Sequence, residues 1–267
     1  MKFFTPGRLF VVAAFCATLG VRAADEWQTQ VVGVMITAPE GGKDNRSYCW
    51  KPGVTVSVRL TPPTGKIVQL NEEKSKIDSF SDDKGTDVMA GVPSKDPFNK
   101  PGISFMLPSA PDGYASVIID LKASGLPAKG ATNLNISGRV KAQVAEGTKQ
   151  ATVENVVINT NTQFNLDDRR IGISAAGLKQ EAFSKKEEFS VTFSSLKNLD
   201  DISSLEFYDA EGNKMEARKR AWGGGFLGCM IEYVFKKKPE HVKIVATVWQ
   251  NLKTIDVPIT IKTGIGF

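Results

Sequence analysis

Phe80-Ser-Asp-Asp-Lys-Gly-Thr-Asp-Val88, in the first half of the chain, has a counterpart in the second half, Phe207-Tyr-Asp-Ala-Glu-Gly-Asn-Lys-Met215. Both stretches share the pattern Phe-x-Asp-x-x-Gly. The correspondence continues downstream in two further pairs of segments, which are 134–140 with 242–248 and 152–156 with 254–258. A motif that recurs at the same place in a repeated unit is explained more simply by the fold than by a reaction. We therefore predict two copies of one structural unit.

The residues between these motifs alternate between apolar and polar, which is typical of antiparallel strands with one buried face. Gly, Pro, Asn and Asp bound the alternating runs, and helical periodicity is nearly absent. About seven strands per copy at this spacing favour an immunoglobulin-like sandwich. We predict an all-β protein with two tandem immunoglobulin-like β-sandwich domains, residues 24–164 and 165–267, that arose by internal duplication.

Residues 1–23 have the features of a secretory signal peptide: a basic start, an apolar stretch and the small-x-small site Val21-Arg22-Ala23. A membrane anchor is the alternative, but a membrane span needs about 20 apolar residues and this stretch is shorter. We predict export to the periplasm, the cell surface or the medium, with no transmembrane segment in the mature chain.

The charge of the chain argues against nucleic acid as a partner. The formal net charge is +5. Because three basic residues lie in the signal peptide, the mature chain carries about +2. Nucleic-acid binding needs a concentrated basic surface, which this balance does not indicate.

The sequence offers little for catalysis. The single histidine, His241, has no nucleophile motif near it, so it is predicted as a strand-end residue and not as part of a Ser-His-Asp site. One histidine with the distant Cys49 and Cys229 does not make a tetrahedral zinc set. The two cysteines are predicted either as buried apolar residues or as a bridge between the domains. We predict no catalytic residues and no cofactor; a glycosidase with paired carboxylates is the enzyme alternative.

Two acidic clusters raise the question of calcium, which takes several oxygen ligands. Asp82, Asp83 and Asp87 form the first, but Lys214 occupies the position of Asp87 in the second copy. A hydrogen-bonded turn explains that cluster better. The second cluster, at residues 165–168, is followed by two arginines, which favours a salt-bridged linker. We predict no metal site.

One segment differs between the otherwise matched copies, and loops that differ in this way commonly carry function. Residues 218–228 combine basic and aromatic side chains with four glycines. The candidate binding residues are Arg218, Lys219, Arg220, Trp222 and Phe226. They are suited to a protein partner, an acidic glycan or an anionic lipid head. The structural alternative is a hairpin whose aromatic residues pack back on the sandwich.

Four features together resemble a group of uncharacterised secreted proteins from planctomycete-type bacteria. They are the Asp-Asp-Lys-Gly-Thr-Asp segment at 82–87, the glycine-rich aromatic segment, Lys-Lys-Lys-Pro at 236–239 and the Val-Pro-Ile-Thr-Ile ending at 257–261. The resemblance implies a bacterial exported protein with tandem β-sandwiches and implies no reaction or ligand.

We expect an exported, non-enzymatic binding or spacer protein of the periplasm or cell surface, with an unknown protein or glycan as its partner. A carbohydrate-binding or carbohydrate-active accessory protein is the first alternative. The second is a structural surface subunit that polymerises through exposed edge strands, such as the one that contains Pro258.

Overall fold

A computed structural model of the protein describes residues 26–37, 52–90, 101–105, 112–180, 187–197, 199–225 and 228–265. The predicted signal peptide and Cys49 lie outside these ranges. Within them, the regular structure consists of β-strands and one 3-10 turn at Val88–Ala90. Every strand pair is antiparallel. The prediction of an all-β chain is confirmed.

The strands are rich in β-branched and aromatic residues, which fit a pleated and half-buried surface. Those of the first half are β1 (Gln28–Thr37), β2 (Gly53–Thr61), β3 (Lys66–Asp82), β4 (Gly102–Ser104), β5 (Val117–Ala123) and β6 (Asn133–Ala145). Those of the second half are β7 (Gly147–Val157), β8 (Gln163–Leu166), β9 (Arg169–Gln180), β10 (Glu187–Ser195), β11 (Ile202–Tyr208), β12 (Ala217–Gly225), β13 (Gly228–Phe235), β14 (His241–Gln250) and β15 (Lys253–Gly264).

The chain forms two compact units, each with two sheets. Unit 1 comprises residues 1–145 and 253–267, and unit 2 comprises residues 146–252. The sheets of unit 1 have the strand orders β1-β2-β5-β4 and β15-β6-β3. Those of unit 2 have the orders β12-β13-β10-β9-β8 and β11-β14-β7. The two units have the same strand arrangement apart from β8. When β9 to β14 are matched in order with β1 to β6, the orders β9-β10-β13-β12 and β14-β11 of unit 2 repeat the orders β1-β2-β5-β4 and β6-β3 of unit 1.

Within each unit, both sheets contribute side chains to one hydrophobic core. The core of unit 1 is mainly aliphatic and includes Val56 and Leu121 from one sheet with Leu134 and Ile259 from the other. The core of unit 2 is more aromatic. The Phe207 ring lies 4.9 Å from that of Phe235 and 5.0 Å from that of Tyr233, both edge to face. Such aromatic pairs contribute about 0.5–1.5 kcal/mol each beyond the area that they bury.

One edge strand of each three-stranded sheet does not pair with the strand that precedes it in the chain. β15, which follows β14 in the chain, pairs with β6 of unit 1, from Lys253 opposite Val144 to Gly264 opposite Asn133. β7, which follows β6, pairs with β14 of unit 2. The two strands that follow the matched elements are therefore exchanged between the units.

The lengths of the connections explain this exchange. Only Glu146 separates β6 from β7, whereas a tight hairpin needs two or more loop residues. Asn251 and Leu252 separate β14 from β15, and a type I′ turn would require positive φ at both positions. Asn251 has φ 54°, but a leucine is unfavourable there. Each chain segment therefore runs on into the other unit instead of turning back.

This division differs from the predicted boundary between residues 164 and 165. Residues 146–164 belong to unit 2, because β7 pairs with β14 and β8 pairs with β9. The C-terminal strand β15 belongs to unit 1. The chain thus passes from unit 1 to unit 2 after Ala145 and returns after Leu252, and unit 2 is an insertion between the last two strands of unit 1.

The motif that occurs twice forms the same turn in both units. Gly85 and Gly212 both have φ 83°. The Gly85 N–H donates to the backbone oxygen of Asp82 at 3.2 Å, and the Gly212 N–H donates to that of Asp209 at 3.1 Å. The phenylalanine of each copy, Phe80 or Phe207, is buried. The motif is therefore structural, with Gly where positive φ is needed and Asp where its carboxylate accepts backbone N–H groups.

Pro258 lies in β15 at the edge of its sheet, as the sequence predicted. Its pairing with β6 shows no register shift. Because proline cannot donate to a ladder, its nitrogen is accommodated on the side of β15 that faces away from β6.

We expect residues 146–252 to fold when expressed alone, because this segment contains every strand of unit 2. Residues 165–267, cut at the boundary predicted from sequence, lack β7 and leave one edge of β14 and its buried side chains uncovered. Circular dichroism with thermal melting should give a cooperative transition for the first fragment and none for the second. The opposite result would contradict the observed strand exchange.

The turns of the two units should differ in their tolerance of substitution. The Asp82 carboxylate is buried and accepts N–H groups of Lys84, Thr86 and Ala128 at 2.7–2.9 Å. Asp82→Ala leaves these donors without their acceptor, so we expect a loss of about 2–4 kcal/mol in the free energy of unfolding. Asp209→Ala, at the less buried equivalent, should cost clearly less. Chemical denaturation measures both, and equal losses would show that burial of the turn is not what matters.

Candidate functional site

The candidate segment 218–228 forms most of a β-hairpin. Residues 218–225 continue β12, and β13 begins at Gly228. The expectation of a loop is wrong for this part of the segment. β12 is the edge strand of the five-stranded sheet of unit 2, so its outer side is not paired with another described strand.

A β-bulge separates the basic side chains of β12. Lys219 lies opposite Tyr233 and Ala221 lies opposite Glu232, so Arg220 is the extra residue. The bulge leaves Arg220 exposed. It also puts the basic residues in three different environments.

Arg218 and Lys219 both interact electrostatically with acidic groups of unit 2. The Arg218 Nη2 atom lies 2.6 Å from Glu188 Oε2 on β10. Lys219 is exposed, and partial desolvation lowers the pKa of its ammonium group although the charge of Asp200 opposes the shift. Arg220 is the exposed cation at the bulge, and its charge helps to lower the pKa of Glu232.

The aromatic part of the predicted site lies outside the described structure. The structure does not describe the side chain of Trp222 or any part of Phe226. The glycines between them are described in part. Apart from its chain neighbours, no described residue has an atom within 4 Å of the position of a Cβ added to Gly223. These residues therefore leave one face of β12 uncovered at Gly223.

On the outer face of the same sheet, the acidic and basic groups are paired. The Lys179 Nζ atom lies 2.9 Å from Glu232 Oε1, and the buried Ser190 hydroxyl donates to the same oxygen. Burial opposes ionisation of Glu232, but these two contacts outweigh it and its pKa is lowered. Glu232 is thus a fixed anion in a hydrogen-bonded set and is poorly suited to act as a general acid.

The other polar residues that the sequence suggested are used by the fold. His241 is exposed, with its Nδ1 atom 2.9 Å from Asn155 Oδ1. Asp83 accepts hydrogen bonds from the hydroxyl and N–H of Thr132, which lower the pKa of its carboxyl group from 3.8 to about 2. The Asp87 carboxylate accepts the N–H of Met89 at 2.9 Å. No group of three or more His, Cys, Asp or Glu in the described ranges is arranged to hold a metal ion.

The acidic residues at the start of β9 form a salt-bridge network. Arg169 is buried, and its Nη1 atom lies 3.6 Å from Asp167 and 3.4 Å from Asp168. Its Nη2 atom contacts Asp201, which lies far along the chain and which sequence reasoning missed. Burial raises the pKa of Asp201 despite the opposing charge of Arg169. No local sequence signal links Asp201 to this network.

A shallow depression of about 310 Å³ lies at the opposite edge of this sheet, lined by Gln163, Phe164, Asn165 and Arg170. The Phe164 ring is 6.3 Å from that of Phe193 in an edge-to-face contact with the core. Its aromatic surface is therefore already engaged in packing. The half-buried Cys229 lies in β13, and its bridge to Cys49 stays a prediction.

Comparison of the chain with protein-family models, with curated proteins and with solved structures gives no match. Within the described ranges, no helix has the length and apolar character needed to cross a membrane.

The β12–β13 hairpin should depend on one glycine. Gly228 has φ 111°, and an added Cβ would collide with the backbone oxygen of Ser195. We expect Gly228→Ala to lower the free energy of unfolding by about 2 kcal/mol or more. Gly223→Ala, in the same hairpin but in open space, is the control and should change it by less than about 0.5 kcal/mol. Urea denaturation measures both free energies of unfolding. If Gly228→Ala leaves that free energy unchanged, the close contact between Gly228 and the Ser195 backbone is contradicted.

Proposed function

We propose that both units are immunoglobulin-like sandwiches derived from one ancestral unit by duplication. The strand orders support this proposal. If the strands are lettered A to G, the immunoglobulin constant-type fold has one sheet with A, B, E and D and a second with C, F and G. β1 to β6 fit A to F in unit 1, and β9 to β14 fit A to F in unit 2. In this scheme β15 and β7 are the exchanged G strands.

We propose further that the protein is exported and that it binds a partner in the periplasm or at the cell surface without catalysing a reaction. The signal-like residues 1–23 support export. The use of Asp82, Asp83 and Glu232 in structural hydrogen bonds supports a role other than catalysis. The single observation that carries the binding proposal is the exposed edge strand β12, where Arg220 stands at a bulge beside an open glycine backbone.

The chemistry of β12 fits an extended acidic segment of a partner protein. Beside Gly223 the outer side of β12 is not paired with another described strand, which leaves backbone groups for hydrogen bonds of the kind made when a peptide extends a sheet. The Arg220 guanidinium is three residues away and suits a carboxylate, to which it can donate two hydrogen bonds. The bulge shortens the regular edge, so the proposed contact is short and depends on charge as well as on the backbone.

The two alternatives have less support. An acidic glycan would also use Arg220, and the sugar-stacking aromatic residue that it would need is Trp222 or Phe226. Assembly through sheet edges is opposed by features that block strand addition. These are Pro258 in β15 and a register shift in β1 between Val31 and Gly33.

Titration of isotopically labelled protein with a glutamate-rich peptide of about twelve residues tests the proposal. We expect amide shift changes centred on residues 220–225, because this part of β12 would pair with the peptide. We expect Arg220→Ala to weaken binding about threefold to tenfold, which corresponds to about 0.7–1.4 kcal/mol.

The matched control is Lys262→Ala, which removes one exposed positive charge from β15 of unit 1 and should leave affinity nearly unchanged. A glutamine-rich peptide of the same length tests the need for charge. Equal weakening by both variants would indicate a general charge effect and would overturn the β12 site. Shift changes with an acidic oligosaccharide but not with the peptide would favour the glycan alternative.

A further inference from the structure

We infer that unit 2 is sheltered from tension applied between the two ends of the chain, and that it carries load only after β15 has separated from β6. This inference concerns the connectivity of the chain. It does not depend on the proposed binding function.

Both ends of the described chain belong to unit 1. β1 begins at Gln28 and β15 ends at Gly264, and both strands are part of unit 1. The backbone enters unit 2 after β6 and leaves it into β15, and these two strands are neighbours in one sheet. Residues 146–252 are therefore a closed loop whose two ends are held by the same sheet. While that sheet is intact, force passes through unit 1 and not through the loop.

The sheet that holds the loop is well paired. β6 and β15 run opposite each other from residues 133 and 264 to residues 144 and 253 without a register shift. Val140 and Val257 of this pair are buried, and Lys141 Nζ lies 2.9 Å from Asp256 Oδ2 on the other face. Detaching β15 therefore requires the loss of a continuous ladder together with its contribution to the core of unit 1.

Unit 2 is poorly built to resist force at its own ends. Its first and last strands, β7 and β14, are paired antiparallel, with Gly147 directly opposite Gln250. Force applied at Glu146 and Leu252 pulls these adjacent ends apart and breaks the ladder one hydrogen bond at a time. A ladder loaded in this way yields at lower force than one whose bonds are loaded together. The intact sheet of unit 1 therefore protects unit 2 from a load that would open it from its ends.

Single-molecule force spectroscopy on the full mature chain tests this inference by comparing two pairs of attachment points. With handles at the chain ends, unfolding should begin at the force that unit 1 withstands, with no earlier step. With handles at residues 146 and 252, unit 2 should open at lower force and release about 107 residues, roughly 38 nm of extended chain. A step of that length before any other event in the end-pulled chain would overturn the inference.

A cross-link gives an independent test. The side chains of Lys141 and Asp256 already meet across the strand pair, so Lys141→Cys with Asp256→Cys should form a disulfide. In the end-pulled oxidised protein the total extension should shrink by about 40 nm, the length of the roughly 114 residues enclosed. Reduction should restore it. The natural sequence, measured with and without reductant, controls for Cys49 and Cys229.

If the double variant folds but the two cysteines do not form the bridge under oxidising conditions, β6 and β15 do not close the loop and the inference fails. Neither outcome bears on peptide binding at β12, so the two proposals fail separately.

Discussion

The connection between β6 and β7 is a single residue, Glu146. Much of the architecture depends on the shortness of this connection. A strand cannot reverse direction beside its predecessor across one residue, so β7 has to continue away from β6. The edge of β6 is then left for another strand, and β15 fills it. The core of unit 1 is completed by a strand that lies beyond unit 2 in the sequence, whereas unit 2 is one continuous segment, residues 146–252.

The junction is also stabilised locally. The Glu146 N–H donates to the Gln250 oxygen at 3.1 Å, and the Asn251 side-chain amide donates to the Glu146 carboxylate at 2.8 Å. These bonds hold the start of β7 against the end of β14 where the chain enters and leaves unit 2. Asn251 tolerates its positive φ better than most residues would. The hydrogen bond between Asn251 and Glu146 thus stabilises the two short connections, between β6 and β7 and between β14 and β15, that in ordinary hairpins would be turns.

The candidate site shows how the same sheet meets two requirements. An edge strand needs protection against unwanted pairing, and charge with a bulge is a common way to provide it. β12 carries both, yet it also leaves Gly223 without covering atoms. On the proposed function, protection and recognition therefore occupy successive parts of one strand, with Arg220 at the boundary between them.

Local patterns in the sequence predicted the features that have local causes. The Asp-x-x-Gly turns and the edge position of Pro258 follow from the geometry of aspartate, glycine and proline at single positions. The exchange of β7 and β15 does not, because both strands alternate in the same way and alternation does not specify a partner. The 3-10 turn at Val88–Ala90 was missed, since it is only three residues long. A difference between the copies drew attention to residues 218–228. The glycines in that segment indicated a loop, whereas pairing with β13 holds residues 218–225 in a strand.

The insertion of unit 2 also sets the order in which the protein can be completed during synthesis. The strands of unit 2 have all been made before β15 is synthesised. The N-terminal strands, with an uncovered edge on β6, must wait through the synthesis of more than a hundred residues. Contacts between segments so far apart in sequence slow folding, and uncovered apolar edges expose a nascent chain to aggregation. The unit whose first strands are made earliest is thus the unit that is completed last.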